Sequence, residues 1–165
     1  MSSQLLFRIL ALLFAMPDAG HASGECTRLA EAHLVVRVDK HEMALCRDRQ
    51  PVRRYDVRLA SGGVGKTRAG DKKTPLGWYS LGAPHRSRRY GLFVPIDYPT
   101  PEQRKQGFSG GSIGIHGPDR RVRWLGRANN WFDTTDGCIG LAKDEQMEAV
   151  IAWLKETRAS RILIE

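Results

Sequence analysis

A mainly β domain with one or two helices is what this sequence predicts, on three observations. Short runs of β-branched and aromatic residues recur along the chain; Gly, Pro and Ser separate them; and only one segment, near the end, carries a helical apolar period. His33-Leu34-Val35-Val36-Arg37-Val38 and Glu42-Met43-Ala44-Leu45-Cys46 flank the polar turn Asp39-Lys40, which predicts a hairpin. From Pro51 to Leu59, apolar Val52, Tyr55, Val57 and Leu59 are interleaved with charges in the pattern of a half-buried strand. Trp78 to Leu81, Gly91 to Ile96 and Ser112 to His116 read as further strands. Met147, Val150, Ile151 and Leu154 fall at i, i+3, i+4 and i+7, so a helix from about Asp144 to Arg158 lays one apolar stripe on the core. Arg161-Ile162-Leu163-Ile164 closes as a last strand, and no repeat, low-complexity tract or interior linker interrupts the pattern.

The chain has 165 residues, the size of one ordinary domain able to bury a core. Its first residues follow Arg8 with the apolar run Ile9 to Met16, broken by Pro17 and ending in Gly20-His21-Ala22, which predicts a secretory signal over residues 1–22 and a mature domain over 23–165. A membrane-spanning helix needs about 20 apolar residues, and this run is far shorter. Ser23-Gly24-Glu25 before Cys26 makes a poor lipidation site, so soluble export to the periplasm or cell envelope is preferred.

Export implies an oxidising setting in which thiols are usually paired. Of the three cysteines, Cys26 and Cys46 lie in the first third of the chain and are expected to pair. Cys138 is then the odd thiol, in a polar, glycine-containing segment, and a reactive nucleophile is one reason for such a residue. The formal charge is +8, and removal of residues 1–22 leaves it unchanged because Arg8 and Asp18 cancel. A basic surface attracts polyanions. Nucleic acid is disfavoured as the partner, since an exported protein rarely meets it and no aromatic-basic interleaving is present; the cell wall is anionic too.

Ala60-Ser61-Gly62-Gly63-Val64-Gly65-Lys66-Thr67 nearly matches a phosphate-binding loop. That loop works only where a helix opens directly behind Lys-Thr, so that amides and dipole meet the phosphate. Arg68-Ala69-Gly70-Asp71-Lys72-Lys73-Thr74-Pro75 is no helix start, so nucleotide is not expected as a ligand. No metal is expected either, because the close Cys or His pairs of a structural zinc site are missing. No cofactor is predicted.

The chemistry-bearing pattern is Ile113-Gly114-Ile115-His116-Gly117, a polar loop, and Thr135-Asp136-Gly137-Cys138-Ile139-Gly140-Leu141. A thiolate nucleophile needs a base or electropositive surroundings to lower its pKa, and glycines beside it let backbone amides approach a developing oxyanion. Gly137 and Gly140 bracket Cys138, and His116 ends a strand where a ring nitrogen can project into a cleft. A buried structural Cys and a satisfied core His form the competing reading; export and the odd thiol weigh against it.

At these residues the chain resembles the L,D-transpeptidase family with the YkuD-type catalytic domain. The family pattern is His-Gly, a variable loop, then Ser/Thr-x-Gly-Cys-Ile/Val, which His116-Gly117 and Thr135-Asp136-Gly137-Cys138-Ile139 match. Thr74-Pro75-Leu76-Gly77-Trp78-Tyr79 is similar to the family's Thr-Pro-x-Gly-x-Tyr/Phe segment, and Asp39-Lys40 sits where its early hairpin turns. The likeness runs from about residue 33 to 165 and is nearest to the YafK-like branch, on Gly65-Lys66 with Gly70-Asp71, Ile96-Asp97-Tyr98-Pro99 and Trp124-Leu125-Gly126. Two positions depart from many members: Gly140 replaces an Arg, and Asp136 replaces a His.

The resemblance implies a YkuD-like β-sandwich or barrel and a thioester mechanism on peptidoglycan stem peptides. Cys138 would be the nucleophile, His116 its base, the amides of Gly137 and Cys138 the oxyanion donors, the Gly117 carbonyl the group orienting the ring, and Thr135 the support of the cysteine loop. An outer-membrane lipoprotein is a second candidate partner, as acceptor of the acyl group. Between Pro118 and Asp133, Trp124, Trp131 and Phe132 stand among Arg120, Arg121, Arg123 and Arg127, which reads either as an apolar lid with cationic contacts for stem carboxylates or as aromatics that pack the loop onto the sheet. Trp131, Arg123 and Tyr90 are the candidate substrate contacts. A peptidoglycan amidase or carboxypeptidase of the same fold, hydrolysing wall peptide or releasing attached lipoprotein, and a non-catalytic wall-binding module are the alternative functions.

Overall fold

Strands β1 (His33–Arg37) and β2 (Glu42–Arg47) form the predicted hairpin, pairing antiparallel from His33↔Cys46 to Arg37↔Glu42. The computed structural model describes residues 24–121 and 135–165. Leu34, Val35 and Val36 are all buried, which explains why this stretch is a continuous apolar run and not an alternating one: β1 is a central strand covered on both faces. On its outer side β2 pairs with β3 (Gln50–Asp56), the edge of the sheet. On its inner side β1 runs parallel to the last strand, β9 (Arg161–Ile164), which in turn is antiparallel to β4 (Gly77–Ser80). The first sheet is therefore ordered β3-β2-β1-β9-β4.

The second sheet is ordered β5-β6-β7-β8, from β5 (His85–Ser87), β6 (Gly91–Pro95), β7 (Gly114–His116) and β8 (Ile139–Gly140). Its last pair, β7 and β8, is parallel. Helix α2 (Asp144–Thr157) follows, and Met147, Val150, Ile151 and Leu154 are its buried residues, as their spacing predicts. They join Leu34, Val36, Met43 and Leu45 of the first sheet and Val94, Ile115 and Ile139 of the second in one core. Each such aliphatic side chain contributes about 1.5–3 kcal/mol by leaving water. The helix ends at Arg158, whose φ of 56° reverses the chain into β9.

A smaller cluster of Cys26, Val35, Ala44, Cys46 and Leu163 covers the other face of the first sheet. Cys26 and Cys46 form a disulfide there with Cα atoms 5.4 Å apart, and Cys138 is free. The pairing expected from their position in the chain is thus observed.

The expectation for Pro51 to Leu59 needs correction. β3 stops at Asp56, and Val52 is 51% exposed because it lies on an edge strand with one open face. Val57 and Leu59 are buried beyond it, in a segment that crosses to the second sheet through the bridges Arg58↔Gly140 and Ala60↔Thr135. Three elements are not predicted from the sequence. Strands β5 and β8 are too short to show a period. Helix α1 (Pro101–Lys105) is a single capped turn, with Thr100 and Gln103 in a capping box and Pro at its start.

Candidate active site

Cys138 stands at the threshold of β8, on a loop fixed from inside by Thr135. The Thr135 hydroxyl donates to the Cys138 carbonyl at 2.7 Å and accepts the Gly137 amide at 3.4 Å. The Thr135 backbone is tied to the crossing segment, its amide to the Leu59 carbonyl and its carbonyl to the Ser61 amide. Gly137 has φ of 140°, and a Cβ there would lie 2.6 Å from Ile113 Cδ1 and 3.0 Å from the Lys73 carbonyl oxygen, so only glycine fits. This geometry puts Thr135 at the cysteine loop, the position expected of it. It also engages the Gly137 amide with the Thr135 hydroxyl, at a long distance.

The Cys138 thiol is half-buried and donates to the Ser112 carbonyl at 3.4 Å. Burial pushes its pKa up, and the Asp136 carboxylate pushes the same way; the Gly114 amide, Arg89 and Lys66 oppose them without prevailing. The resting thiol is therefore protonated at neutral pH, contrary to the lowered thiol pKa that reading the sequence suggests. Ser112 and Gly114 act here through their main chain, which leaves no side-chain signature to read.

His116 ends β7, paired in register with Gly140 of β8. Its ring is 1% exposed, and Nδ1 lies 2.7 Å from the Gly117 carbonyl oxygen, the contact expected of Gly117. A carbonyl only accepts, so Nδ1 carries the proton and Nε2 presents a lone pair. Among the described residues, Nε2 has no hydrogen-bond partner. Burial lowers the His116 pKa to about 4; the Gly117 carbonyl opposes this, while Arg58 and Arg89 reinforce it and Asp119 opposes it. The imidazole is thus neutral, a base in waiting, throughout the physiological range. Tyr90 stacks on it with ring centroids 3.7 Å apart and planes at 19°, and Phe93 lies parallel at 6.3 Å.

Behind the pair lies a residue that sequence reasoning does not single out. Arg58 is 3% exposed, and a Cβ on Gly140 would lie 3.0 Å from its Nη2 and 3.2 Å from its Nε. The two backbones are bonded both ways, each amide to the other's carbonyl at 2.9 Å. A side chain at position 140 and the guanidinium of Arg58 exclude one another. Glycine at position 140 is what admits this arginine from another part of the chain.

Cys138 opens on a cavity of about 590 Å³ whose wall includes His85, Ser87, Tyr90, Ser112 and Asp136. Tyr90 thus touches both the histidine and the cavity. Asp119, three residues beyond His116 in the chain, accepts from Arg89 at 2.8 Å and from Arg121 at 2.7 Å. Arg123 and Trp131, with the rest of the expected lid from residue 122 to 134, lie outside the described residues. The phosphate-loop look-alike has no helix behind it: Lys66 donates to Asp71 at 2.7 Å and to the Arg68 carbonyl at 3.0 Å.

The fold is a pair of mixed β sheets with two helices; a neutral buried imidazole ends β7, and a half-buried thiol immediately precedes the parallel strand β8 and opens on a cavity. The model of the L,D-transpeptidase catalytic domain (YkuD) matches residues 31–164, and the chain belongs to that family. Among curated proteins no sequence match is found. The solved structures that share the fold include the following three. The helical cell shape determining protein Pgp2 of Campylobacter jejuni has a TM-score of 0.67 at 21% identity, over 82% of this chain and 47% of that one. Bd1075 of Bdellovibrio bacteriovorus has 0.60 at 16% identity, over 82% and 47%. An L,D-transpeptidase of Mycobacterium smegmatis has 0.53 at 14% identity, over 82% and 59%. This chain spans about half the length of the first two.

Proposed function

We propose that the protein is an exported cysteine L,D-transpeptidase of the periplasm or cell envelope that acts on peptidoglycan stem peptides through a thioester. The observation that carries this reading is the unpartnered Nε2 of a neutral His116 on the strand beside Cys138, whose thiol faces a cavity. Rotation about the one side-chain torsion of Cys138 turns Sγ from the Ser112 carbonyl toward the substrate. As Sγ attacks the carbonyl of the third stem residue, a diaminopimelate, the thiol proton passes to Nε2. The tetrahedral intermediate places its oxyanion at the amide of Cys138, with the Gly137 amide joining only if it leaves the Thr135 hydroxyl; one such donor is worth about 2.7–4 kcal/mol. Its collapse breaks the peptide bond, and terminal D-alanine departs with the proton from Nε2. An acceptor amine then attacks the thioester, a new amide forms, and the proton it loses returns by way of Nε2 to Sγ. The acceptor is a second stem peptide, giving a cross-link, or a lysine of an outer-membrane lipoprotein.

The test is mass spectrometry of products from a purified tetrapeptide muropeptide supplied with excess acceptor amine. Transfer predicts an acyl-enzyme on Cys138 and amide-linked products. Tripeptide alone under these conditions replaces transfer with the hydrolytic carboxypeptidase or amidase function.

A further inference from the structure

Partnered residues of β6, β7, β8 and the crossing segment fall in one row across the second sheet: Phe93, His116, Gly140 and Arg58. Residues partnered across strands leave the sheet on the same face. Arg58 therefore shares a face with His116, and the position between them is a glycine. A Cβ on Gly140 would stand 3.0 Å from Nη2, 3.2 Å from Nε and 3.3 Å from Cζ of Arg58. The guanidinium thus leans across the bare glycine into the side-chain slot next to the imidazole. Adjacent strands lie about 4.8 Å apart, so the cation comes within roughly one strand spacing of the ring's row.

Arg58 is buried, a guanidinium holds its proton at any pH the fold survives, and charge in such a place is weakly screened by water. The other groups around His116 act differently. Arg89, on the turn between β5 and β6, is half-exposed and paired with Asp119, which Arg121 also holds. Tyr90 stacks on the ring as a neutral phenol, its pKa raised by burial, and the Cys138 thiol is protonated. Asp144, at the start of α2, lies beyond Gly117, where a Cβ would be 3.0 Å from its Oδ1. Of the cations that act on the ring, Arg58 is the one shielded from solvent.

We propose that Arg58 is a positioning residue for the reaction, a permanent cation laid over Gly140 that keeps His116 uncharged between proton transfers and so sets the acid limit of activity. The inference rests on His116 serving Cys138 as proton carrier, and it holds for transfer and hydrolysis alike. When the thiol proton reaches Nε2, the imidazolium meets this cation in a dry setting and is a strong acid. It gives the proton to the leaving nitrogen as the C–N bond breaks, which restores the neutral ring. Without the guanidinium, burial still disfavours the charged ring, but to a lesser degree.

The experiment follows the His116 ring by NMR from neutral pH down through its midpoint of about 4, with circular dichroism confirming the fold at each pH. Wild type is compared with Arg58→Met, which keeps length and apolar contacts without charge, and with Arg58→Lys. The Met variant is expected to raise the midpoint by about one unit, and to move the acid limb of kcat/KM for D-alanine release from a tetrapeptide by the same amount. Lysine restores part of the shift. Gly140→Ala displaces the guanidinium without removing it and is expected to raise the midpoint as well, so it decides the matter if the Met variant does not fold. An arginine that only fills space lowers the rate evenly at every pH; midpoints in Arg58→Met and Gly140→Ala equal to that of wild type overturn the assignment. The ring titration needs no substrate. Wild-type protein that releases no D-alanine therefore counts against the thioester reading, while the titration still decides on Arg58.

Discussion

The first sheet is built on the buried apolar runs of β1, β2 and β9, pairs β1 with β2 along its whole length and is clamped at one end by the Cys26–Cys46 bond. The second has strands of 2 to 5 residues, and two glycines in and beside it stand where a side chain would collide: a Cβ on Gly114 of β7 meets Phe93 at 2.4 Å, and one on Gly137, in the loop before β8, meets Ile113 at 2.6 Å. One sheet is regular because its task is burial. The other is irregular because each departure from regularity holds a carbonyl, an amide or a ring where the site needs it. Stability and chemistry are thus lodged in different parts of a single core, and substitutions in each should separate them.

The largest expected effect belongs to the second sheet. Cys138→Ala or His116→Gln should lower turnover of a tetrapeptide by at least about 10³-fold, while urea unfolding of Cys138→Ala stays close to wild type. Turnover that survives Cys138→Ala breaks the division outright. In the first sheet, Leu34→Ala empties a fully buried position and should cost about 2–5 kcal/mol in urea unfolding, with the rate of Cys138 alkylation in the folded protein unchanged.

His116 makes its own contribution to stability, with a distinct pH window. Its pKa falls from 6.5 in the unfolded chain to about 4 in the fold, so the fold favours the neutral ring. The stabilisation is complete above pH 6.5 and is lost as pH drops toward 4, where the unfolded chain takes up the proton first; the loss amounts to about 3 kcal/mol. Unfolding free energies measured across this range should show that slope in wild type and lack it in His116→Gln. Reduction of Cys26–Cys46, which closes a separation of 20 residues, should cost roughly 3 kcal/mol and spare activity. The smallest effect is Gly140→Ala: by forcing Arg58 aside it should cost about 1–3 kcal/mol, and Arg58→Ala in the same protein should recover part of it.

The contrast between sheets also decides what the sequence discloses. The β1–β2 hairpin, α2 and β9 are legible because burial on a regular element imposes a period or an unbroken apolar run. Val52 misleads, since alternation tells which residues share a face and not whether that face is covered. Arg58 is read as solvent-facing for the same reason, and its burial depends on a glycine 82 positions further on, at Gly140, which no local pattern connects to it. Cys138, His116, Gly117 and Thr135 are found by their motif. The raised thiol pKa is not, because it follows first from the depth at which the loop buries the thiol, which no local pattern records.

The place of β9 in the first sheet has a consequence for the order of events in folding. β9 lies between β1 and β4, so one of the earliest strands meets one of the last, Leu34 opposite Ile162, before β4 can join at all. As the chain folds, β1, β2 and β3 can zip together as neighbours, but the seam between β1 and β4 stays open until Arg161–Ile164 take their place. Until then β1 and β4 each display an unpaired, apolar edge to whatever is nearby. Completion of the fold is therefore tied to a four-residue strand, which acts as the clasp between β1 and β4.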